Sequence, residues 1–486
     1  MSKQYFQTTE FSQVNSEIIS ESNLTNVINS FKVDECLQKA AIIKRNGLNP
    51  LCVFTVLFKL ILVRARSIYE GLRLIHKDNI KSIVNSFLND PWYDWRKLLS
   101  QIAKLFFKKF KPDVGETTVF ILDDTPKVKS GKFVEFIAKF KDTSKCVTYK
   151  GYQILLGVLS NNRTAVPIDF AIKIGDKRTP DSKEGNYPME SHISQRLEEA
   201  KKSKISISID MIKRALENGF KFAYVLWDSA FNSSKSYQYV FNTLVPKGIH
   251  LITRVKLDDR RYKIEENEFR IEQLIELAGE WKEICDSKIF SKSIEVEVID
   301  SDVKDRPTIG TVKLCFYKFN ELVSKRQNKR KYKNKPNLDG CIAIISTNTE
   351  LSEEKNLEIY TKRWGIEVIN RDLKQHFGLY QSMSSKYAPQ VADLTLKCIF
   401  YLMICSLKER SSNKSPYQIL FEFVKELEKH NLYVLTKEMF LDLLKQMADI
   451  GVIEIKIDYQ LLVDIIDKFL YNEFFPDNVL EIDNDI

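Results

Sequence analysis

The sequence predicts an α/β protein, α+β overall, in which a mixed β-sheet core lies between helical terminal regions. Apolar, strand-like segments follow one another through short polar connections and predict three antiparallel strands. These segments are 117–124, 152–161 and 164–173. An amphipathic helix at 206–218 then leads into an apolar strand at 222–228, which adds a strand–helix–strand unit. Residues 1–110 and the segments after residue 390 have the 3.6-residue periodicity of helices.

Composition bounds the class of protein without identifying it. The 486 residues are 44% hydrophobic and 29% charged, which is ordinary for a globular protein of two to four domains. The net charge of +9 favours a polyanionic partner. The eight cysteines form no Cys-x-x-Cys pair, and with no secretory leader in view they predict reduced thiols and a cytoplasmic location. The apolar run Leu51–Val63 is too short to span a bilayer, so we expect a buried helix and no membrane partner.

The N-terminal region is predicted to be helical throughout. Asn49-Pro50 marks a helix start, and Asp90-Pro91 separates helices at 77–89 and 95–110. Such a region suits a DNA-binding module. A helical packing domain without DNA contact is the alternative, because no recognition helix stands out.

Aspartates follow two of the predicted strands. Asp123 and Asp124 end the first strand, and Asp228 ends the strand at 222–228. A carboxylate at the end of a strand lies at the edge of a sheet, where it can bind a metal ion. The structural alternatives are a turn for the pair, helped by Thr125-Pro126, and a helix N-cap for Asp228. Three antiparallel strands followed by strand–helix–strand are typical of an RNase H-like fold.

Residues 256–349 interrupt this pattern and predict a β-rich insertion. Its strand-like segments are 293–299, 311–319 and 341–347. Between the last two lies 325–335, with seven basic residues in eleven and no acidic one. A solvated loop is the plain interpretation of such a run; contact with a nucleic acid backbone is the functional one. The residues proposed for that contact are Lys325, Arg326, Lys329, Arg330 and Lys331.

The segment 352–378 predicts one long helix with two distinct faces. At about 100° per residue, with Tyr360 at 0°, Arg363 falls near about 300° and Glu367 near about 340°. Lys374, near about 320°, lies on the same arc of about 60°. A separate apolar stripe is formed by Ile359, Ile366, Ile369, Leu373 and Phe377. A surface helix with i,i+4 salt bridges is the alternative. The functional interpretation is a metal-binding carboxylate flanked by phosphate-binding cations.

The spacing of these four residues resembles the Y-R-E-K signature of the IS4-type DDE transposases of bacterial insertion sequences. Further likeness lies in Arg363-Trp364-Gly365-Ile366-Glu367 and in Lys374-Gln375-His376. Asp123-Asp124-Thr125, followed by Lys129 and Gly131, is similar to the first catalytic block of that family.

The resemblance implies an RNase H-like catalytic core divided by an insertion domain. It implies that Asp124, Asp228 and Glu367 are both the catalytic residues and the Mg²⁺ ligands, with Mn²⁺ able to substitute. Asp124 is preferred as the carboxylate directly before the threonine, with Asp123 as its rival. The implied domains are 1–112 (helical, DNA-binding), 113–255 (core), 256–350 (insertion), 351–410 (core with the Glu helix) and 411–486 (helical).

The implied activity is metal-dependent DNA cleavage and strand transfer of an insertion sequence by a cut-and-paste route. Water first releases a 3′-hydroxyl at the transposon end, and that hydroxyl then attacks target DNA. Tyr360, Arg363 and Lys374 would grip the terminal inverted repeat, and the protein would act as a homodimer on DNA at the bacterial nucleoid. Two alternatives stay open: a metal nuclease without strand transfer, and a domesticated DNA-binding protein. No zinc or P-loop motif is present in the sequence, so neither zinc nor a nucleotide cofactor is expected.

Overall fold

The structure is a computed structural model, and it divides the chain into two compact units. One unit is Glu35–Ser406 and the other combines Met1–Asp34 with Leu407–Ile486. The residues described are 24–44, 46–62, 67–75, 77–110, 117–142, 147–161, 164–175, 179–180, 182–257, 260–284, 289–319, 340–379, 382, 384–407, 414–449 and 459–474.

The strands of the larger unit form one mixed sheet. They are β1 Val119–Val128, β2 Ala138–Asp142, β3 Val147–Ser160, β4 Ala165–Lys173, β5 Tyr224–Trp227, β6 His250–Val255, β7 Arg261–Ile264, β8 Asn267–Arg270, β9 Lys282–Ile284, β10 Ile289–Ile299, β11 Thr308–Phe319 and β12 Cys341–Ser346. The strand order is β2-β3-β1-β5-β6-β12-β11-β10-β7-β8, with β4 paired to β3 and β9 paired to β10.

Helices precede, cover and follow this sheet in the chain. They are α1 Val33–Lys39, α2 Pro50–Leu62, α3 Ile68–Leu74, α4 Lys81–Asn89, α5 Trp95–Lys109, α6 His192–Lys201, α7 Lys204–Glu217, α8 Ser234–Tyr239, α9 Ile271–Leu277, α10 Glu353–Thr361, α11 Trp364–Gln375, α12 Tyr387–Ser406, α13 Pro416–Asp449 and α14 Tyr459–Phe474. Residues 24–30 are also helical.

The centre of the sheet confirms the predicted change from antiparallel to parallel pairing. β3 pairs antiparallel with both β1 and β4, whereas β5 pairs parallel with β1 and with β6. The apolar half of β1, residues 119–122, is fully buried between these neighbours. The result is a mixed α/β protein with one large sheet.

Alternation along β1 defines the two faces of the sheet. Phe120 packs on Gly157 beside Met211 of α7, so even-numbered residues of β1 face α7. Lys127 lies 3.7 Å from Asp393 of α12, so odd-numbered residues face α12. The sheet therefore separates two layers of helices.

The insertion continues the same sheet. β12 pairs antiparallel with β6 on one side and with β11 on the other, and β10 follows β11. β2, β7, β8 and β9 were not predicted, because they are only three to five residues long. The predicted domain boundaries stay predictions.

The first strand is longer than predicted, and the aspartates do not end it. β1 keeps its pairing with β3 as far as Val128 opposite Gly151, well past Asp124. Proline has no backbone N–H to donate to a neighbouring strand. Pro126 is tolerated because the pairing of β1 with β5 has already ended at Leu122 opposite Trp227. The predicted strand end at Asp124 is therefore wrong, and the alternative of a turn at Thr125-Pro126 is not observed either.

The single helix predicted at 352–378 is also wrong, since α10 and α11 meet at a tight turn. The N–H groups of Lys362, Arg363, Gly365 and Ile366 each donate to the carbonyl three residues earlier, at 3.0–3.2 Å. Such bonds turn the chain by about 120° per residue instead of about 100°. The predicted apolar stripe is nevertheless buried.

Two long helices lie in the region after residue 386. Pro416–Asp449 is one helix, α13, although its sequence pattern predicts two helices, at 416–430 and 437–450, because no Gly or Pro lies between them to stop it. α12 is long and apolar enough to cross a membrane by length and composition, but 94% of its apolar window is buried inside the protein. Phe400 of α12 stacks on Phe58 of α2 at 4.2 Å, which confirms the predicted buried helix near residue 51.

The smaller unit contains a helix pair. Asp467 of α14 accepts hydrogen bonds from Tyr433 and Lys437 of α13. The Tyr433 ring also meets Tyr471 and Phe474 edge-on, at 6.0 and 5.9 Å between centroids. These contacts hold α13 and α14 together.

Candidate active site

Asp123 and Asp124 lie on opposite faces of the sheet. Asp123 is four residues from Lys127 and shares its face, on the α12 side. Asp124 is four residues from Phe120 and shares the α7 side. The two candidate ligands that the sequence left unresolved therefore meet different neighbours.

Asp124 is occupied by two side chains of the protein. Gln153 of β3 donates a hydrogen bond to Oδ2, and Lys204 at the start of α7 contacts Oδ1. The Asp124 side chain is 20% exposed and that of Lys204 is 19% exposed. Both carboxylate oxygens of Asp124 therefore already have partners.

Asp123 sits in a more demanding environment. Its Oδ1 accepts the backbone N–H of Asp124 at 2.8 Å. Burial and the neighbouring charge of Asp124 raise the pKa of Asp123 to about 6, while Arg363 and Lys204 partly offset the rise. Such a carboxylate is stabilised by any additional positive charge on its face.

Asp228 follows the last residue of β5 and lies beside Asp123. Leu122 and Trp227 are paired in the parallel register, so the next residues of both strands, Asp123 and Asp228, share a face. Residues Ser229–Phe231 form a 3₁₀ turn directly after Asp228. The predicted strand-end aspartate is therefore observed here.

A buried hydrogen-bond node fixes the turn after Asp228. Asn232 Oδ1 accepts from Trp227 Nε1 and from Thr253 Oγ1, both at 2.9 Å. Its Nδ2 donates to the carbonyl of Arg254 at 3.0 Å. Asn232 thus ties the end of β5 to β6, a role that no residue spacing in the sequence indicates.

Arg363 joins the remaining predicted residues. Its Nη2 donates to Glu367 Oε1 at 2.5 Å, and its guanidinium lies 5.8 Å from the Tyr360 ring centroid. Burial would lower the pKa of Arg363, but Tyr360, Glu367 and Asp123 raise it above its usual value. Burial and Asp228 raise the pKa of Tyr360. Arg363 therefore contacts Glu367 and Tyr360 directly, while Asp123 and Asp228 act on this pair through their charges.

The Glu367 helix approaches the sheet closely at its first turn. A Cβ on Gly365 would lie 2.9 Å from Cβ of Ala165 and 3.6 Å from Oγ of Ser160. Only glycine allows this approach, which sets the height of Glu367 above the strands. Lys374 lies two turns further along α11 with a partly exposed side chain.

The donor set suits a hard divalent cation, although its members are not gathered around one point. Carboxylate oxygens are the ligands that Mg²⁺ prefers, and three carboxylates share this face. Within the described part of the chain, no three Asp, Glu, His or Cys side chains lie close enough to bind one metal ion together. To bind an ion, the Glu367 carboxylate would have to give up its ion pair with Arg363.

The other predicted DNA contacts are only partly described. The basic run with Lys325, Arg326, Lys329, Arg330 and Lys331 lies within 320–339, outside the described residues.

Sequence reasoning did not find Lys204 or Gln153, since a helix-start lysine and a strand glutamine have no distinctive spacing.

One family model matches the sequence over less than half of its length. Residues 189–403 match the family model described as Transposase DDE domain. This is a catalytic family whose members generally use divalent metal ions. The matched DDE domain region includes Asp228 and Glu367 but begins after Asp123 and Asp124.

One solved structure similar to the chain is that of the Drosophila P element transposase in a strand transfer complex. The identity is 11% and the TM-score is 0.22, over 51% of this chain and 56% of that chain. The present chain therefore spans about half of the length of the fly protein that it matches. No curated protein matches the sequence.

Proposed function

We propose that this protein is a DNA transposase that cleaves DNA and joins the released end to a target by a DDE mechanism. The observation that supports this most is the combination of Asp123, Asp228 and Glu367 on one sheet face in a chain that matches the DDE domain. The strand order, antiparallel then parallel, supports an RNase H-like core. The residue pattern around Tyr360 and Glu367 favours the IS4 type.

We assign the metal-binding role in the first strand to Asp123, the rival of Asp124. Asp123 shares a face with Arg363, the partner of Glu367, whereas Asp124 is engaged by Gln153 and Lys204. A pair of Mg²⁺ or Mn²⁺ ions, when bound, would stabilise both the attacking and the leaving oxygen of a phosphodiester. The protein contributes the carboxylates and the rigid sheet that aims them.

The cationic and phenolic groups beside the carboxylates are proposed to hold DNA. Arg363 presents a planar guanidinium that can pair with phosphate when it leaves Glu367, and Lys374 extends the same surface. Tyr360, with 9% exposure, orients Arg363. The basic run at 325–331 would add sequence-independent phosphate contacts.

The proposed partners are the terminal inverted repeats of an insertion sequence and a double-stranded target. A homodimer on DNA, acting at the bacterial nucleoid in the cytoplasm, is part of the same proposal. No nucleotide cofactor or membrane is required by it.

A strand-transfer assay tests the proposal. Inverted repeats flanking the gene supply a labelled transposon end, which is incubated with the protein, Mg²⁺ and a plasmid target. We expect cleavage at the repeat boundary and a joined product, both lost with EDTA and in Glu367→Gln. Cleavage without a joined product would favour a nuclease. Metal-independent binding without cleavage would favour a DNA-binding protein that has lost catalysis.

A further inference from the structure

Lys204 contacts both segments that present the aspartates. It is the first residue of α7, and its ammonium group contacts Oδ1 of Asp124 in β1. The same Nζ lies 4.0 Å from the ring centroid of Phe231, in the turn that follows Asp228. A single cation therefore joins the middle of β1 to the loop after β5.

The surroundings of Lys204 restrict its movement. Ser203 caps α7 by accepting the N–H of Ser206 at 3.1 Å, and Lys235 donates to Oγ of Ser206 at 2.9 Å. The Phe231 ring under the ammonium is 1% exposed. Cation–π contacts at partly desolvated sites are stronger than those at exposed sites.

The neighbouring lysine shows that this arrangement is specific. Lys202 is two residues away, but its Nζ pairs with Asp210 at 2.8 Å, and its side chain is 51% exposed. Among the described residues, the Lys202 ammonium group contacts Asp210 and not Asp124 or Phe231. It therefore offers a matched control of equal charge at the same end of the helix.

We propose that Lys204 is a positioning residue for the metal site. It neutralises Asp124, on the face opposite Asp123, and it holds the turn that aims Asp228. This inference rests on the proposed function for its metal readout. Removing a residue that contacts and orients a metal ligand typically weakens metal binding by about 10–100-fold.

A direct contact between Lys204 and DNA phosphate is the competing explanation. It is disfavoured because the ammonium already touches a carboxylate and a ring, and because its side chain is only 19% exposed. A phosphate contact also predicts a different phenotype: weaker DNA binding and a smaller salt slope, with metal affinity unchanged.

The test compares Lys204→Met, Lys204→Arg and Lys202→Met in the full chain. Hydrogen exchange of the peptide spanning 224–234 is measured without metal, and Mn²⁺ affinity is measured by electron paramagnetic resonance. We expect faster exchange and about 10-fold weaker Mn²⁺ binding in Lys204→Met, partial rescue in Lys204→Arg and no effect in Lys202→Met. On an Asp124→Asn background, the loss of Mn²⁺ affinity caused by Lys204→Met should be much smaller.

Two results would overturn this role. Exchange in 224–234 that is unchanged in Lys204→Met excludes positioning, and lower DNA affinity with normal exchange assigns Lys204 to phosphate. A wild-type protein that binds no Mn²⁺ would count against the proposed function itself. The exchange measurement would still decide whether Lys204 holds the two segments.

Discussion

Asp123 and Asp124 are consecutive residues of β1, yet their side chains lie on opposite faces of the sheet. Asp123 shares its face with Lys127 and the Glu367 helix, whereas Asp124 meets Lys204 and Gln153. The two carboxylates consequently have different partners: Asp124 contacts Gln153 and Lys204, whereas Asp123 accepts the backbone N–H of Asp124. This difference is the basis for proposing Asp123 as the metal ligand.

Substituting each aspartate should have opposite effects on the stability of the metal-free protein. Asp123→Asn is expected to raise the free energy of unfolding at pH 8 by about 1–3 kcal/mol, because it removes a buried charge that repels Asp124. Asp124→Asn should lower it, because Lys204 loses its ion pair. Urea unfolding in EDTA measures both changes.

The pH dependence of the Asp123 effect has a defined sign. The pKa of Asp123 is about 6 in the folded protein, above its ordinary value near 3.8. The folded state therefore binds more protons between these two values, and stability contributed by this group falls as pH rises from about 4 to 6. The advantage of Asp123→Asn should vanish below pH 4. An equal advantage at pH 4 and pH 8 would contradict the assignment.

Gly365→Ala should disturb the Glu367 helix. The new Cβ would lie 2.9 Å from Cβ of Ala165, a contact that forces α11 away from the sheet. We expect a loss of about 1–3 kcal/mol of stability from this overpacking, together with lower cleavage activity. Ala165→Gly removes the opposing atom, so the double variant should recover most of the loss. A double variant no better than Gly365→Ala would show that the close approach does not matter.

Lys127 should make stability depend on pH near neutrality. Its side chain is fully buried, its Nζ lies 3.7 Å from Asp393 and has no hydrogen-bond partner among the described residues, and burial lowers its pKa to about 7. The unfolded protein holds this proton up to about pH 10, so stability rises as pH increases above 7. The advantage of Lys127→Met over wild type should therefore shrink by about 2–3 kcal/mol between pH 7 and pH 9.

A second buried lysine, directly after β1, offers a comparison for Lys127. Lys129 Nζ donates to the carbonyls of Ser382 and Ser384, at 2.5 and 3.2 Å. Lys129→Met should destabilise the protein, since it removes these bonds from partly buried carbonyls. Burial lowers the pKa of Lys129 only to about 8, so thermal melting at pH 7 should distinguish a stabilising Lys127→Met from a destabilising Lys129→Met. A pH-independent difference between Lys127→Met and wild type would count against a neutralised Lys127.

Asn232→Asp should uncouple Asp228 from the sheet. The change replaces the Asn232 amide group, which donates to the Arg254 carbonyl, with a carboxylate oxygen, which cannot donate. The carbonyl is then left without its hydrogen bond, which costs about 1–3 kcal/mol of stability. Thr253→Ser keeps the hydroxyl that Asn232 accepts and should be nearly neutral. Activity measured at equal folded fractions should fall in Asn232→Asp only. Loss of activity that simply follows unfolding would reduce Asn232 to a structural residue.

The central strands and most helices could be predicted from the sequence, because long apolar segments and strong periodicity determine them locally. The contact between Arg363 and Glu367 also followed from helical spacing, since it survives the tight turn before α11. The choice between Asp123 and Asp124 could not be made. It depends on which face α11 covers, and that is a property of the folded sheet.

Longer-range features were equally hidden from the sequence. Nothing in the residues near Lys204 predicts that it reaches Asp124, 80 positions away. The continuation of the sheet into the insertion depends on pairing between β6 and β12, which are separated by some eighty-five residues in the numbering of the chain. Local patterns do not specify such pairing partners.

Mn²⁺ binding to single-residue variants tests the central assignment most directly. Electron paramagnetic resonance titrations compare wild type with Asp123→Asn, Asp124→Asn, Asp228→Asn and Glu367→Gln at equal folded fractions. We predict that Asp123→Asn, Asp228→Asn and Glu367→Gln each lose at least one bound ion, while Asp124→Asn keeps the wild-type number with weaker affinity. Wild-type binding by Asp123→Asn, with loss of the ions in Asp124→Asn, would contradict the account.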